Sequence, residues 1–422
     1  MFVWTFFAYF LAIISIMKKF LLITTITISL ISLIIFNDKA NEMSKPYLSK
    51  LINSNINNNT RIEITEYKLD YNYITLFAKV NKENHIKIYG EINTLSKSFD
   101  LNYTIDSIDK LLKIKNIDIP PNTKVYGNIK SKIDKDIASI DGIAKSNLAN
   151  LTIQKGELNL SSMELFSKFI LDIEKLKKVK FITKKNLNGK LRVTGELTKI
   201  DKEILVKGTT DSFDGKINFI LKNNNLDAEM NKVSIKKLFK TLNYPLIFSA
   251  PLSGKIIYNL KNKEGNIDSS LKNAKLVENR LTNSVKKISG IDLTKDVYNQ
   301  TTFNAKLYPK KIEFKLLAKN KKNKISIYNA KLKRNNRYID AKYNINIRKR
   351  DIEGSIKGDI NSPHITVDGS KFIKKELENV LDKYIDKDNQ KQIKSQLKEF
   401  GINKKDTKKA INKASNFIKG FF

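Results

Sequence analysis

The chain has 422 residues, 41% of them hydrophobic and 29% charged, which is too apolar for a disordered chain and long enough for two or three ordinary domains or one elongated domain. It contains no cysteine, which excludes disulfides, cysteine-ligated zinc and thiol nucleophiles. Its 78 Lys and Arg against 43 Asp and Glu give a net charge of +35, typical either of a chain with an anionic partner or of AT-rich coding that favours Lys, Ile and Asn.

The first 36 residues are almost wholly apolar and predict a membrane anchor. No charge occurs in residues 20–36, and about 17 residues rising roughly 1.5 Å each just cross a thin hydrocarbon core. Lys18 and Lys19 precede this stretch and are expected to stay in the cytoplasm. Residues 1–16 are either an upstream extension or part of a longer span. Because the sequence after residue 36 is a poor cleavage site, an uncleaved single-pass anchor in the inner membrane is favoured, with the bulk of the chain in the periplasm.

Four segments follow from the patterning. Residues 1–36 are the anchor, and 37–60 are a linker with a short helix predicted over 46–56. Residues 61–370 are an elongated β region, and 371–422 are a basic amphipathic helical tail.

The β region shows period-two alternation of apolar and polar residues, typical of a sheet with one apolar face. About sixteen strands are expected between Arg61 and Val367, joined by Asn-, Asp-, Gly- and Lys-bearing turns as antiparallel hairpins. The clearest alternating sets are Phe99, Leu101, Tyr103 and Ile105; Leu187, Gly189, Leu191, Val193, Gly195 and Leu197; Ile312, Phe314, Leu316 and Ala318; and Ile339, Ala341, Tyr343, Ile345 and Ile347.

Three or four short helices are expected to interrupt the strands and to close the open end or the edges of the sheet. The first would be capped by Ser161 or Ser162. The second would be capped by Ser234 and end before Pro245, and the third covers 281–288. The apolar residues of the first are Met163, Phe166, Phe169, Ile170, Ile173 and Leu176.

The tail changes to helical spacing with many lysines on the opposite face. Its last apolar stripe includes Phe417, Ile418, Phe421 and Phe422. A basic amphipathic helix is typical of an element that docks on a membrane or a partner, and a helical cap folded back on the sheet is the alternative.

No motif for catalysis or for a metal is present. His85 and His364 stand alone rather than in a paired-ligand arrangement. Asp134 and Asp136 are the nearest approach to paired carboxylates, which is too little for acid–base chemistry. We therefore expect a protein that is not an enzyme and has no cofactor or metal.

A long sheet with one apolar face must bury that face. Since open twisted sheets rarely exceed about ten strands without curling, we expect a curled trough lined inward by apolar residues, in which acyl chains of lipid can lie. An ordinary sandwich or solenoid core without ligand is the alternative and is favoured by periodicity alone. The candidate groove residues are Phe99, Leu101, Tyr103, Ile105, Leu187, Leu191, Val193, Leu197, Ile312, Phe314, Leu316 and Tyr343. Val193→Asp is expected to abolish lipid binding and to leave the fold intact.

A rhythm of apolar residues around alternating glycines recurs at 187–197 and at 251–276, where Pro251-Leu252-Ser253-Gly254 begins a run through Gly265. Together with the single amino-terminal apolar segment, this layout resembles the AsmA-like and TamB-like envelope proteins, over roughly residues 180–370. The resemblance implies a mainly β fold, a long curled antiparallel β-groove with a few short helices, and passage of phospholipid between the inner and outer membranes. It implies no catalytic residues.

The expected function is therefore binding or transfer of lipid in the cell envelope by a membrane-anchored periplasmic protein. The alternative is a scaffold or assembly factor that binds another envelope protein through the trough. The expected partners are phospholipid or another membrane lipid, the inner membrane and, in the alternative, another envelope protein. No nucleic-acid partner is expected, because the lysines are spread along the chain without aromatic platforms.

Overall fold

The fold is mainly β, as predicted. The computed structural model describes residues 38–54, 61–82, 84–111, 119–373 and 375. In these residues twenty strands form one antiparallel sheet, and three short strands form a second sheet.

Along the described part of the chain, one helix precedes the first strand and the other helices lie between groups of strands. The strands are β1 Ile62–Leu69, β2 Tyr73–Val80, β3 Asn84–Asn93, β4 Ser98–Ile105, β5 Val125–Asp134, β6 Ile137–Ser146, β7 Asn150–Asn159, β8 Leu165–Ile173, β9 Leu191–Ile200, β10 Glu203–Thr210, β11 Lys216–Lys222, β12 Asn225–Ser234, β13 Phe248–Ser249, β14 Pro251–Asn259, β15 Glu264–Leu271, β16 Ala274–Leu276, β17 Val297–Tyr298, β18 Gln300–Leu307, β19 Lys311–Lys319, β20 Asn323–Lys333, β21 Tyr338–Ile347, β22 Arg350–Asp359 and β23 His364–Asp368. The helices are α1 Asp38–Ser54, α2 Ile108–Leu111, α3 Lys180–Thr183, α4 Ile235–Leu242 and α5 Arg280–Ser289, with 3₁₀ turns at Leu176–Val179 and Leu293–Lys295.

The chain divides into two compact units, Met1–Leu226 with Thr241–Asn243, and Asp227–Lys240 with Tyr244–Phe422. In the first unit each strand from β1 to β11 pairs antiparallel with the next. In the second unit β14, β15 and β18 to β23 form a ladder in the same way, and β13, β16 and β17 form the small sheet. Because neighbours in the chain are neighbours in the ladder, both units are built from hairpins.

Alternation along each strand separates a buried face from an exposed one. On β11, Ile217, Phe219 and Leu221 are buried, whereas Asn218 and Ile220 are exposed. The same pattern holds on β21. Each fully buried aliphatic or aromatic side chain contributes about 1.5–3 kcal/mol through removal of apolar surface from water, so these inward faces are the main source of stability.

Helix α1 covers the free edge of β1, which pairs with β2 on its other side. The Asn53 side chain acts like a neighbouring strand: its Nδ2 donates to the Ile62 carbonyl at 2.8 Å and its Oδ1 accepts from the Ile62 amide at 2.7 Å. The Ser49 hydroxyl accepts from the Ile64 amide at 3.2 Å. An uncovered edge strand would invite pairing with another chain, and this helix prevents it.

Asn53→Ala is expected to destabilise the α1–β1 edge by about 1–2 kcal/mol, because the Ile62 amide and carbonyl both lose their partner. Hydrogen–deuterium exchange should show faster exchange of the β1 amides. Lys50→Ala, at an exposed position on the same helix, is the control and should leave β1 protected. Equal exchange in the two variants would contradict the role given to Asn53.

Aromatic rings lie over glycines on neighbouring strands. A Cβ atom added at Gly208 would lie 2.2 Å from Cζ of Phe219, and one added at Gly195 would lie 2.7 Å from Cζ of Phe169. At Gly208 the ring occupies the place of the side chain, whereas at Gly195 the Lys207 carbonyl oxygen, 2.3 Å from the added Cβ, is an obstacle together with the ring. The five cross-strand pairs are Tyr103–Gly127, Phe169–Gly195, Phe219–Gly208, Tyr258–Gly265 and Tyr343–Gly354.

One form of this pairing occurs once in each unit. The Tyr103 hydroxyl reaches past Gly127 on the next strand and donates to the Ile143 carbonyl, on the strand after it, at 3.0 Å. In the second unit the Tyr343 hydroxyl reaches past Gly354 and donates to the Thr366 carbonyl at 2.9 Å. Burial raises the pKa of both tyrosines, so both hydroxyls remain protonated donors.

The helix predicted after Ser161 or Ser162 is wrong. Residues Leu165–Ile173 form β8 instead, and Met163 lies in the turn before it. Ser167, Phe169, Leu171 and Ile173 are all buried at period two. The apolar residues fit both the helical and the strand period. The segment forms a strand because it pairs with β7 and β9.

Two further predictions about elements are corrected. The structure has 23 strands in its described residues, whereas about sixteen were expected, because short strands and strands with bulges are harder to separate by alternation. Leu187 and Gly189 precede β9 rather than belong to it: Gly189 has φ +90, and its carbonyl accepts from the Leu176 amide at 2.9 Å.

The other two central helices are confirmed. Helix α4 begins after Ser234, whose hydroxyl accepts from the Lys237 amide at 3.3 Å, and it ends before Pro245. Helix α5 has an Asn279 capping box and a left-handed Gly290 at its end, as good capping residues predict. Helix α1 ends close to the predicted helix at 46–56 but begins earlier, at Asp38.

The predicted anchor at 1–36 and the docking residues Phe417, Ile418, Phe421 and Phe422 lie outside the described residues. Within the described ranges, no helix has the length and apolar character needed to span a membrane.

Candidate functional site

The twelve candidate groove residues separate into two groups. Eight are packed inside the protein and are at most 6% exposed, so protein atoms already cover them. The other four, Phe99, Ile312, Phe314 and Leu316, are partly exposed. The eight buried residues are Leu101, Tyr103, Ile105, Leu187, Leu191, Val193, Leu197 and Tyr343.

In the first unit the structure has a packed core at the position of the predicted groove. Leu101, Tyr103 and Ile105 belong to a buried cluster with residues from β1 to β7, and Phe99 packs against the same cluster. Val193 is fully buried opposite Leu171, which is also fully buried. Val193→Asp would therefore place a carboxylate among apolar side chains, and the expectation that this variant keeps its fold is corrected.

In the second unit the inward face stays partly open over four neighbouring strands. Its partly exposed members, which we call the apolar strip, are Ile256 on β14, Ile267 on β15, Phe303 on β18, and Ile312, Phe314 and Leu316 on β19. They share the inward face with side chains that are buried nearer the strand ends, including Leu252, Tyr258, Leu271, Leu307 and Ala318.

The strand register brings the apolar strip together. Ile256 lies opposite Ile267, and Phe303 lies opposite Leu316. The ring centroids of Phe303 and Phe314 are 5.6 Å apart. Since strands lie about 4.8 Å apart, the three spacings from β14 to β19 give the strip a width of roughly 14 Å.

Small residues beside the apolar strip leave space above the sheet. Gly254 lies opposite Ser269, and Ser269 lies opposite Phe303. The Ser269 hydroxyl donates to the Phe303 carbonyl at 3.1 Å, so it presents no unsatisfied polar group. All six side chains of the strip are hydrocarbon, so the surface can bind apolar matter and offers no acid, base or nucleophile.

Two buried hydroxyls on the same inward face lack a hydrogen-bond partner among the described residues. They are the hydroxyls of Tyr258 on β14 and Thr301 on β18. Each lies two positions along its strand from a member of the strip, Ile256 and Phe303 respectively. An unsatisfied buried hydroxyl costs about 1–3 kcal/mol; both side chains are at most 2% exposed, so protein atoms separate these hydroxyls from the surface of the strip.

The titratable groups flagged by the sequence form no reactive centre. His85 lies 3.5 Å from Asp106 at the surface, and His364 is exposed on β23. Asp134 and Asp136 flank the exposed turn between β5 and β6. No cluster of potential metal ligands occurs in the described segments.

Half of the apolar strip was not predicted from the sequence. Ile256 and Ile267 lie inside the glycine-containing run at 251–276, but they are not among the predicted groove residues. Phe303 belongs to the alternating set Thr301, Phe303, Ala305 and Leu307, which was the available signal.

Comparison with known proteins gives one partial similarity. No family model matches the chain, and no solved structure matches it. The chain is 27% identical over 146 residues to the DNA-directed RNA polymerase subunit alpha of Euglena viridis, which covers 32% of this chain and 67% of that protein. That protein is named for transcription of DNA. The prediction that this chain has no nucleic-acid partner is therefore contradicted, and we withdraw it.

Proposed function

We propose that this chain binds the acyl chains of a membrane lipid along the apolar strip. The observation that carries this proposal is the partial exposure of six inward-facing apolar side chains in an otherwise buried face. Hydrophobic contact needs no directional chemistry, so a hydrocarbon chain can occupy this surface without a catalytic residue.

The resemblance to AsmA-like and TamB-like envelope proteins supports the same proposal. In this proposal residues 20–36 hold the chain in the inner membrane, the remainder lies in the periplasm, and lipid moves passively. The bound segment lies in the second unit, between β14 and β19, rather than along Leu101 or Val193, which protein atoms already cover.

Neighbouring residues on β19 provide a matched test. Leu316 faces inward on the apolar strip and Leu317 faces outward, where it is 36% exposed. The full-length chain in detergent is incubated with a phosphatidylglycerol that carries a diazirine on its acyl chain, and the adducts are located by peptide mass spectrometry. Adducts are expected on peptides that contain Phe303 or Leu316. Leu316→Asp should reduce them about tenfold or more, whereas Leu317→Asp should not.

Adducts confined to residues 1–37, or equal labelling of the strip in Leu316→Asp and wild type, would overturn the proposal. Circular dichroism of both variants controls for folding. A wild-type chain that folds well and takes up no photolipid on β14 to β19 would favour the scaffold that binds another envelope protein.

The similarity to an RNA polymerase subunit supports a second candidate, a part in an assembly that contains nucleic acid. The ratio of absorbance at 260 and 280 nm of the purified full-length chain, before and after nuclease, tests this candidate. A ratio typical of pure protein in both samples would count against it.

A further inference from the structure

Two basic hairpin turns lie side by side at one end of the second unit. Residues 320–322 connect β19 to β20, and Arg348 and Lys349 connect β21 to β22. The Arg348 amide donates to the Lys322 carbonyl at 2.9 Å, which holds the turns together. We call six exposed cations of these turns the basic end: Lys319, Lys321, Lys322, Lys324, Arg348 and Lys349.

The cations of the basic end have no ion-pair partner: among the described residues, none of the six forms an ion pair. Of the neighbouring carboxylates, Glu353 pairs with Lys371 at 2.8 Å. Asp351 accepts from Asn346 at 2.9 Å and Asp296 accepts from Asn323 at 2.5 Å; these two carboxylates keep their charge, so the six cations outnumber them. Lys375 adds a further cation, because its Nζ donates to the Lys349 carbonyl at 3.0 Å.

The opposite end of the same strands is also basic, and two of its cations have partners. Arg334 donates to the Tyr308 carbonyl at 2.8 Å. Lys311 pairs with Glu313 at 2.7 Å, and that carboxylate raises the pKa of Lys311. Lys310 and Lys333 are exposed there, so the basic end differs from this end by its two adjoining turns and not by free charge alone.

We propose that the basic end docks on an anionic lipid surface. Clustered lysines and arginines are attracted to anionic headgroups over a short, salt-dependent range. The large hydrophobic side chains exposed near this end, Leu317 and Val297, are aliphatic, as suits the boundary of a bilayer.

A charge-matched pair of variants tests this proposal. The first is Lys321→Gln with Lys322→Gln and Arg348→Gln. The control is Lys261→Gln with Lys310→Gln and Lys333→Gln, which removes the same charge from the opposite end. Each full-length chain is reconstituted into phosphatidylcholine nanodiscs, and binding of phosphatidylglycerol vesicles is measured by flotation at low salt.

The wild type is expected to bind phosphatidylglycerol vesicles and not phosphatidylcholine vesicles. The basic-end triple variant should bind about 100-fold more weakly, as follows from the contribution of each cation near an anionic surface. The control triple variant should stay within about threefold of wild type. Unchanged thermal melting of both variants excludes a folding defect.

Equal binding by the two triple variants would overturn the proposal, because net charge alone would then explain attachment. A 30-base-pair DNA duplex is the competing ligand in the same assay. Duplex binding tighter than vesicle binding, and lost in the basic-end variant, would also overturn the proposal and assign this surface to nucleic acid. Neither result depends on the apolar strip, so failure here leaves the proposed lipid site untouched.

Discussion

Val193→Asp should unfold the sheet around β8 to β10. The Val193 side chain is fully buried, and its cross-strand neighbour Leu171 is equally buried. A carboxylate there has no cation or donor to compensate for lost hydration, so we expect a cost of about 4 kcal/mol or more. The loss of stability is measured by urea denaturation monitored by far-UV circular dichroism. Hydrogen exchange of the β8 to β10 amides shows where the structure opens.

Thr194→Asp is the matched control, because Thr194 is the next residue and lies on the partly exposed face. It should change the urea midpoint little. A folded Val193→Asp protein with normal exchange in β8 to β10 would contradict the packing described here and would restore this position as an open groove.

Gly127→Ala is expected to destabilise the first unit by about 3 kcal/mol. A Cβ atom at this position would lie 1.7 Å from the Ile143 carbonyl oxygen and 3.0 Å from the Tyr103 hydroxyl. Because the obstacle is backbone, β5 and β6 must separate to make room, which costs more than repacking a flexible side chain. Faster hydrogen exchange across β4 to β6 and a lower melting temperature should follow.

Gly142→Ala, on the adjacent strand, is the control. Its new Cβ would lie 3.0 Å from the Asn128 carbonyl oxygen, which a small shift can relieve, so a smaller loss is expected. Tyr103→Phe should cost about 1 kcal/mol through the lost hydrogen bond to Ile143. If Gly127→Ala were as stable as Gly142→Ala, the close approach of the Ile143 carbonyl would not explain the glycine.

The expected effects of Val193→Asp and Gly127→Ala are on packing and not on ligand binding. Val193 is fully buried, and Gly127 is in close contact with the backbone of the next strand, so their substitution tests stability. Leu316 and the basic end lie on accessible surface, so their substitution tests ligand binding at little cost to the fold. A lipid-binding defect in Leu316→Asp with normal melting would therefore not be confused with unfolding.

The local sequence pattern was sufficient to predict an element where the apolar residues fitted either the strand period or the helix period, but not both. The alternation of Ile339, Ala341, Tyr343 and Ile345 predicted β21 because a strand places every second side chain on one face. Ser234 predicted a helix start because its side chain satisfies a free amide. Residues 165–173 fitted both periods, and only the hydrogen-bonding neighbours β7 and β9 made them a strand.

By itself the sequence determined the class of fold: a mainly β chain of antiparallel hairpins with one apolar face, short helices between strands and a large positive charge. Those properties depend on neighbouring residues and on composition. The tertiary structure decided which part of the apolar face remains open, since Val193 and Leu316 have the same local pattern but different coverage by distant side chains. It also decided which cations remain free, because ion pairs such as Lys371–Glu353 join residues from separate elements. Burial and charge pairing are properties of the packed chain, and alternation along one strand does not contain them.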